Sequence, residues 1–141
     1  MNDEQTEVGG LGYFGAMQKN GKPYSGASMS FDRYQQDQQI QIYGFDADGR
    51  HHAGLIVNDV VDGVERPVFF EQYKQAAKEG KQQITQRVYA GKNPQGDSEL
   101  KLADASGKTR LALHVSPSGE VQIVFFNTKG EITKTITDEK G

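Results

Sequence analysis

Two histidines stand side by side at His51 and His52, and a third lies at His114. Imidazole and carboxylate are ordinary zinc donors, so one of the pair could join His114 and a carboxylate around an ion. Adjacent residues of a strand project to opposite sides, so His51 and His52 cannot both ligate one ion without a bulge. Two solvent-facing histidines beside a turn explain the same residues. Asp46, Asp48 and Gly49 resemble the opening of a calcium loop. Such a loop needs oxygen ligands at further alternate positions and a distal bidentate Glu. Arg50, His51 and His52 follow instead, which fits a hairpin turn better.

The most distinctive polar cluster is Asp32, Arg33, Tyr34 and Asp37, within a run containing Gln35, Gln36, Gln38 and Gln39. Loops on rigid scaffolds often carry binding groups. Asp32, Arg33, Tyr34, Asp37, His51 and His114 are therefore the ligand-binding candidates. A plainer account is an Asp-capped turn in which Arg33 pairs with Asp32 or Asp37. A glycosidase-like pair from Asp32 and Asp37 would need a defined separation across a cleft, which spacing alone does not supply. Ser25, Ser28 and Ser30 lie in a strand pattern without the glycine-flanked elbow of an esterase. Gly107-Lys108-Thr109 matches part of a phosphate loop, but a strand pattern follows it where a helix is required. No convergent catalytic set emerges, and no metal or cofactor is assigned. The reading leans away from an enzyme.

The elements that must carry these residues are marked by a repeat. A turn glycine followed by a basic residue recurs at Gly21-Lys22, Gly49-Arg50, Gly80-Lys81 and Gly107-Lys108, and Gly130-Glu131 continues it with the charge reversed. The spacings of 28, 31, 27 and 23 residues each suit two strands and two turns. A further unit is implied by Gly9-Gly10-Leu11, with Gln5 at its turn position. Asp46 to Gly49, Asp104 to Gly107 and Asn127 to Gly130 share one form. Asp or Asn opens the turn by bonding the backbone ahead, and Gly closes it at positive φ. Ser116 to Gly119 is a turn of the same length.

The intervening segments alternate. Leu111, Leu113 and Val115 oppose Ala112 and His114, while Val121, Ile123 and Phe125 oppose Gln122, Val124 and Phe126. Ile40 and Ile42, and Leu100 and Leu102, form similar rows. Period two, with one apolar and one mixed face, predicts antiparallel strands covering a core on one side. Tyr43, Phe45 and Phe126 fall on the mixed face, where an exposed aromatic stripe could bind sugars or a protein partner, the sugar case being thin without Trp; a second buried layer or a subunit interface explains Tyr43, Phe45, Val124 and Phe126 equally well. Pro67 to Glu79 reads as a short helix closed by Gly80, with Phe70, Tyr73 and Ala77 on one side. The expectation is an all-β antiparallel meander of about ten strands, closed or strongly curved like a barrel, with a two-sheet sandwich as the alternative. Residues 1–137 form a single repeat-built domain and 138–141 a frayed tail.

The run Ser25 to Gln38, containing Phe31-Asp32-Arg33-Tyr34-Gln35-Gln36-Asp37-Gln38, is followed by Asp48-Gly49-Arg50 and Ala53-Gly54-Leu55. It resembles an uncharacterised family of bacterial proteins with a Phe-Asp-x-Tyr-x-x-Asp-Gln segment preceded by an acidic turn and a Gly-Gly-Leu strand. Asn2-Asp3-Glu4 and Gly9-Gly10-Leu11 match those features, and the segments 102–107 and 126–132 resemble the family's repeated strand-turn units. The resemblance spans most of the chain. It implies the repeat architecture and supplies no activity, cofactor or catalytic residue. Members of that family continue further toward the N-terminus, so the chain is expected to begin inside a turn.

Composition narrows the function classes. The 141 residues carry a formal charge of −3, leaving no basic surplus for phosphate, so nucleic acid is not an expected partner. There is no cysteine, hence no disulfide and no thiolate chemistry. No stretch approaches the roughly 18–20 apolar residues of a membrane-spanning helix. The polar, acidic start lacks a signal-peptide pattern, which slightly favours the cytoplasm, although a chain trimmed of its leader would read the same. The expected role is a non-enzymatic interaction or scaffold module acting through a sheet face or the 32–37 loop, with a protein partner or as a homo-oligomer. The alternatives are a small-molecule binding barrel lined by the aliphatic rows and a metal-dependent enzyme.

Overall fold

The computed structural model describes residues 8–33, 38–60, 75, 78, 79 and 84–138. Nine strands follow one another: β1 (Gly9–Met17), β2 (Pro23–Asp32), β3 (Gln38–Ala47), β4 (Arg50–Val60), β5 (Ile84–Lys92), β6 (Ser98–Ala103), β7 (Thr109–Val115), β8 (Val121–Phe126) and β9 (Ile132–Thr137). They form one sheet in sequence order, every neighbouring pair antiparallel. The expected meander is present, with nine strands rather than ten among the described residues. The expected closure is not: β1 and β9 stand at opposite ends of the strand order. Nor do the strands divide into the two sheets of a sandwich. Of the expected helix, Gln75 and Lys78 are helical and the Glu79 amide donates to the Gln75 carbonyl at 3.0 Å. The rest of 67–79 lies outside the described residues, as do the turn positions Gln5 and Gly80.

The hairpins close by a shared device. In the turns at 104–107, 116–119 and 127–130 the fourth residue is a glycine at positive φ (80°, 90° and 84°) whose amide donates to the carbonyl of the first. The first residue's amide in turn donates to the carbonyl just after the glycine. Asp104 Oδ1 accepts from the Ser106 and Lys108 amides, and Asn127 Oδ1 from those of Lys129 and Glu131. Asn93 to Gly96 is a further turn of this form that the glycine-basic repeat does not mark. The Asp46–Gly49 turn departs from the expected form. Ala47 pairs with Arg50, leaving Asp48 and Gly49 as a two-residue turn with both φ values positive, 54° and 76°. That is the geometry of a type I′ hairpin. Asp46 is thereby a strand residue, and its carboxylate meets His51, its cross-strand partner.

Four register shifts fall along one line across the sheet, just past Phe31, Val57, Leu102 and Phe125. Bulges leave backbone carbonyls without ladder partners, and side chains take them up. Arg33 Nη1 donates to the Val60 carbonyl at 2.8 Å, and Asn58 Nδ2 to that of Gln38 at 3.0 Å. Arg87 Nε and Arg110 Nε donate to the Ala103 and Phe126 carbonyls, each at 3.0 Å.

The two faces are built differently. On one, aromatic rings lie over glycines. Phe14 and Phe45 both pair across Gly26, and their rings stack at 5.7 Å. Tyr24, Tyr43 and His52 extend the cluster. A Cβ at Gly54 would come within 2.8 Å of Tyr89 Cε2, so the absent side chain gives that ring its place. Tyr89 is 8 % exposed, and burial, with a bond from Tyr43, pushes its hydroxyl pKa up to about 12. Ala112 and Val124 are also buried in the same cross-sheet row as Tyr89. Gly26 and Gly130 should therefore respond differently to alanine. A Cβ at Gly26 collides with the Phe45 ring, and Gly26→Ala is expected to cost about 1–3 kcal/mol by overpacking and to reduce the near-ultraviolet circular dichroism of the aromatic cluster. Gly130, with φ 84° and open space around it, should cost about 1–2 kcal/mol by backbone strain alone, with that spectrum intact. Denaturant unfolding followed by both near- and far-ultraviolet dichroism separates the two.

Candidate functional site

The opposite face carries the aliphatic rows, and the pairing brings them into one line. Leu11, Met29, Ile42, Leu55, Ala90, Leu100, Leu113, Ile123 and Ile136 are successive cross-strand partners, one from each strand. A second line runs beside it through Phe31, Ile40, Val57, Val88, Leu102, Leu111 and Phe125. This is an apolar band about two residues deep across the sheet. It does not line an interior, because the sheet is open. Leu11 is 74 % exposed, Phe31 51 %, Ile42 47 % and Leu113 38 %. No side chain among the described residues is fully buried. Exposed contiguous apolar patches on this scale mark interaction surfaces.

The charged residues of this face sit at its margins. Asp46 and His51 pair near the Asp48-Gly49 turn, Lys92 ends β5, and Lys134 lies on the edge strand with its ammonium 6.0 Å from the Phe125 ring centroid. The His51 contact is the main influence holding the Asp46 carboxyl below its ordinary pKa.

Of the residues singled out from sequence, Asp32 and Arg33 close β2 and begin the segment after it, with Arg33 anchored on β4 through the Val60 carbonyl. Tyr34 and Asp37 lie outside the described residues. His51 and His52 do project to opposite faces. His52 joins the aromatic cluster, with its ring 5.6 Å from Tyr43 and 5.5 Å from Phe45. Both sit on β4, while His114 sits on β7, three strands and about 14 Å away at the ordinary strand spacing. The three histidines therefore do not converge on one ion.

His114 instead meets two carboxylates that sequence reasoning did not single out. Glu99 is its cross-strand partner, and Asp97 lies at the end of the turn before β6. Their donor atoms and the imidazole fall within 4.8 Å of one another. Each carboxylate is already engaged. Asn93 Nδ2 donates to Asp97 Oδ2 at 2.8 Å, His114 Nε2 lies 3.2 Å from the same oxygen, and Lys101 Nζ is 2.8 Å from Glu99 Oε2. The set works as it stands as an ion-pair network bracing the β6–β7 hairpin. Only the pairing of Glu99 opposite His114 could have revealed it from sequence.

No family model, curated protein or solved structure matches the chain. Among the described residues no helix is long and apolar enough to cross a membrane.

The network has a pH consequence. The Asn93 bond, followed by the contacts with His114, keeps the Asp97 pKa below its ordinary value of 3.8 despite some burial. A carboxylate with a depressed folded pKa adds stability above its unfolded value and loses it as pH falls through the folded one. Asp97 should therefore titrate below 3.8 when its carboxyl carbon is followed by NMR, and Asn93→Ala should raise that midpoint. A midpoint at or above the ordinary value in the unmodified chain would contradict the arrangement.

Proposed function

We propose that this chain is a non-enzymatic interaction or scaffold module of bacterial origin that works by covering the apolar face of its sheet. One observation carries the reading: nine strands each contribute an aliphatic side chain to a single line, in register, on a face that nothing among the described residues covers. The histidines support the same conclusion. Each is absorbed into an ion pair or a ring cluster, and they do not gather round a cleft. The resemblance to bacterial proteins of repeated strand-turn units is in keeping with a scaffold, since such repeats build extended surfaces.

At high dilution the folded protein is expected to bind an environment-sensitive apolar dye such as bis-ANS, with a several-fold rise in fluorescence. Leu113→Glu, within the band on β7, should remove most of that rise while leaving the far-ultraviolet dichroism intact. A dilute, cooperatively folded protein that binds no dye would overturn the reading.

A further inference from the structure

We infer that the occupant of the apolar face is a second copy of the same chain, the two sheets packing face to face into a two-layer homodimer. This rests on the reading of that face as an interaction surface and goes beyond it by naming the partner.

Three observations point to self-association. The first is area. Nine strands at about 4.8 Å spacing give a band ~43 Å wide, and its two side-chain lines, spanning about four residues of strand at about 3.3 Å each, give ~13 Å of height. The resulting ~570 Å² per copy is close to the roughly 600 Å² per partner at the lower bound of stable interfaces. The second is charge. The line from Leu11 to Ile136 carries no ionisable group, and the adjacent line reaches one only at Lys134, on the edge strand. Two copies can thus overlap without burying like charges against each other. An isologous contact requires this, because every patch meets its own image or a neighbour's. An anionic lipid surface would call for a basic rim, whereas the chain carries a net −3 and its margin mixes Asp46 with Lys92 and Lys134.

The third is the asymmetry between the faces. The glycine-aromatic face buries Tyr89, Ala112 and Val124, although Phe14 and Tyr24 at its β1–β2 end stay 41 % and 46 % exposed. The aliphatic face leaves Leu11, Phe31 and Ile42 open, although its side chains are of the kind that fill the inner layer of a sandwich. A second sheet about 10 Å away would supply that layer. The two-sheet architecture would then arise between chains rather than within one.

Sedimentation velocity over a broad concentration range, with bis-ANS fluorescence read on the same samples, tests this. The expected result is a shift from one chain mass to two, with dye fluorescence per chain falling in step as the second copy displaces the dye. Leu113→Glu should stay monomeric at every concentration. Met29→Gln, a milder change on β2, should raise the dimer dissociation constant at least tenfold with the far-ultraviolet dichroism unchanged, which covers the case in which the glutamate variant does not fold. A monomer that binds dye equally at all concentrations would overturn the second copy while leaving the interaction surface in place. A monomer that binds none would overturn both. Growth beyond two chains would overturn the closed face-to-face pair in favour of pairing at the strand edges.

Discussion

The parity of the hairpins is the constraint on which the rest depends. Side chains of a strand alternate, so a slip of one residue at any turn would move every later aliphatic side chain to the opposite face. Eight successive pairings keep the line from Leu11 to Ile136 intact. Turn geometry holds that register: glycines at positive φ close the recurrent four-residue turns, and Asp48-Gly49 closes the tight one. Where bulges do occur they lie along one line beyond the aliphatic rows, and Arg33, Asn58, Arg87 and Arg110 take up carbonyls around them. The irregularity is thereby confined to one margin of the sheet and does not interrupt the band.

The same parity divides the labour between the faces. Glycine at 26, 54 and 91 would weaken a strand taken alone, because it offers no side chain to pack. Here Phe45 lies over Gly26 and Tyr89 over Gly54, so rings from neighbouring strands fill the vacant positions. Aromatic cover of sheet glycines is a recognised means of pinning register. The polar half of that face is held by the ion pairs around Asp97, Glu99 and His114. One face thus buries the row of Tyr89, Ala112 and Val124 within a single layer. The other has equivalent apolar content and no layer above it among the described residues.

This division explains what could be read from the sequence. The turns at Gly107 and Gly130 were legible because an Asx residue and a glycine act within four residues of each other. The aliphatic rows of individual strands were legible for the same local reason. The Asp46 turn was misread because Asp46 has the right chemistry for a turn opener, yet its carboxylate is claimed across the ladder by His51. Closure was expected because about ten strands in one sheet would curl and closure removes the edges that invite aggregation, and sequence does not say whether the apolar rows face an interior or an open surface. Asp97 and Glu99 escaped notice because their meeting with His114 depends on the register between β6 and β7.

Energy indicates which of these surfaces matters. Burying the band against a partner would remove apolar surface from water, which is favourable by about 25 cal/mol per Å² before any cost. The loss of translational and rotational freedom opposes this by an estimated 4–15 kcal/mol. The surface pairs at His51–Asp46 and His114–Asp97 act on a smaller scale, since solvent and salt screen exposed charges. A binding role centred on the histidines would therefore draw on weak, screened interactions. The aliphatic band is the feature of this sheet that offers a partner the most contiguous apolar surface.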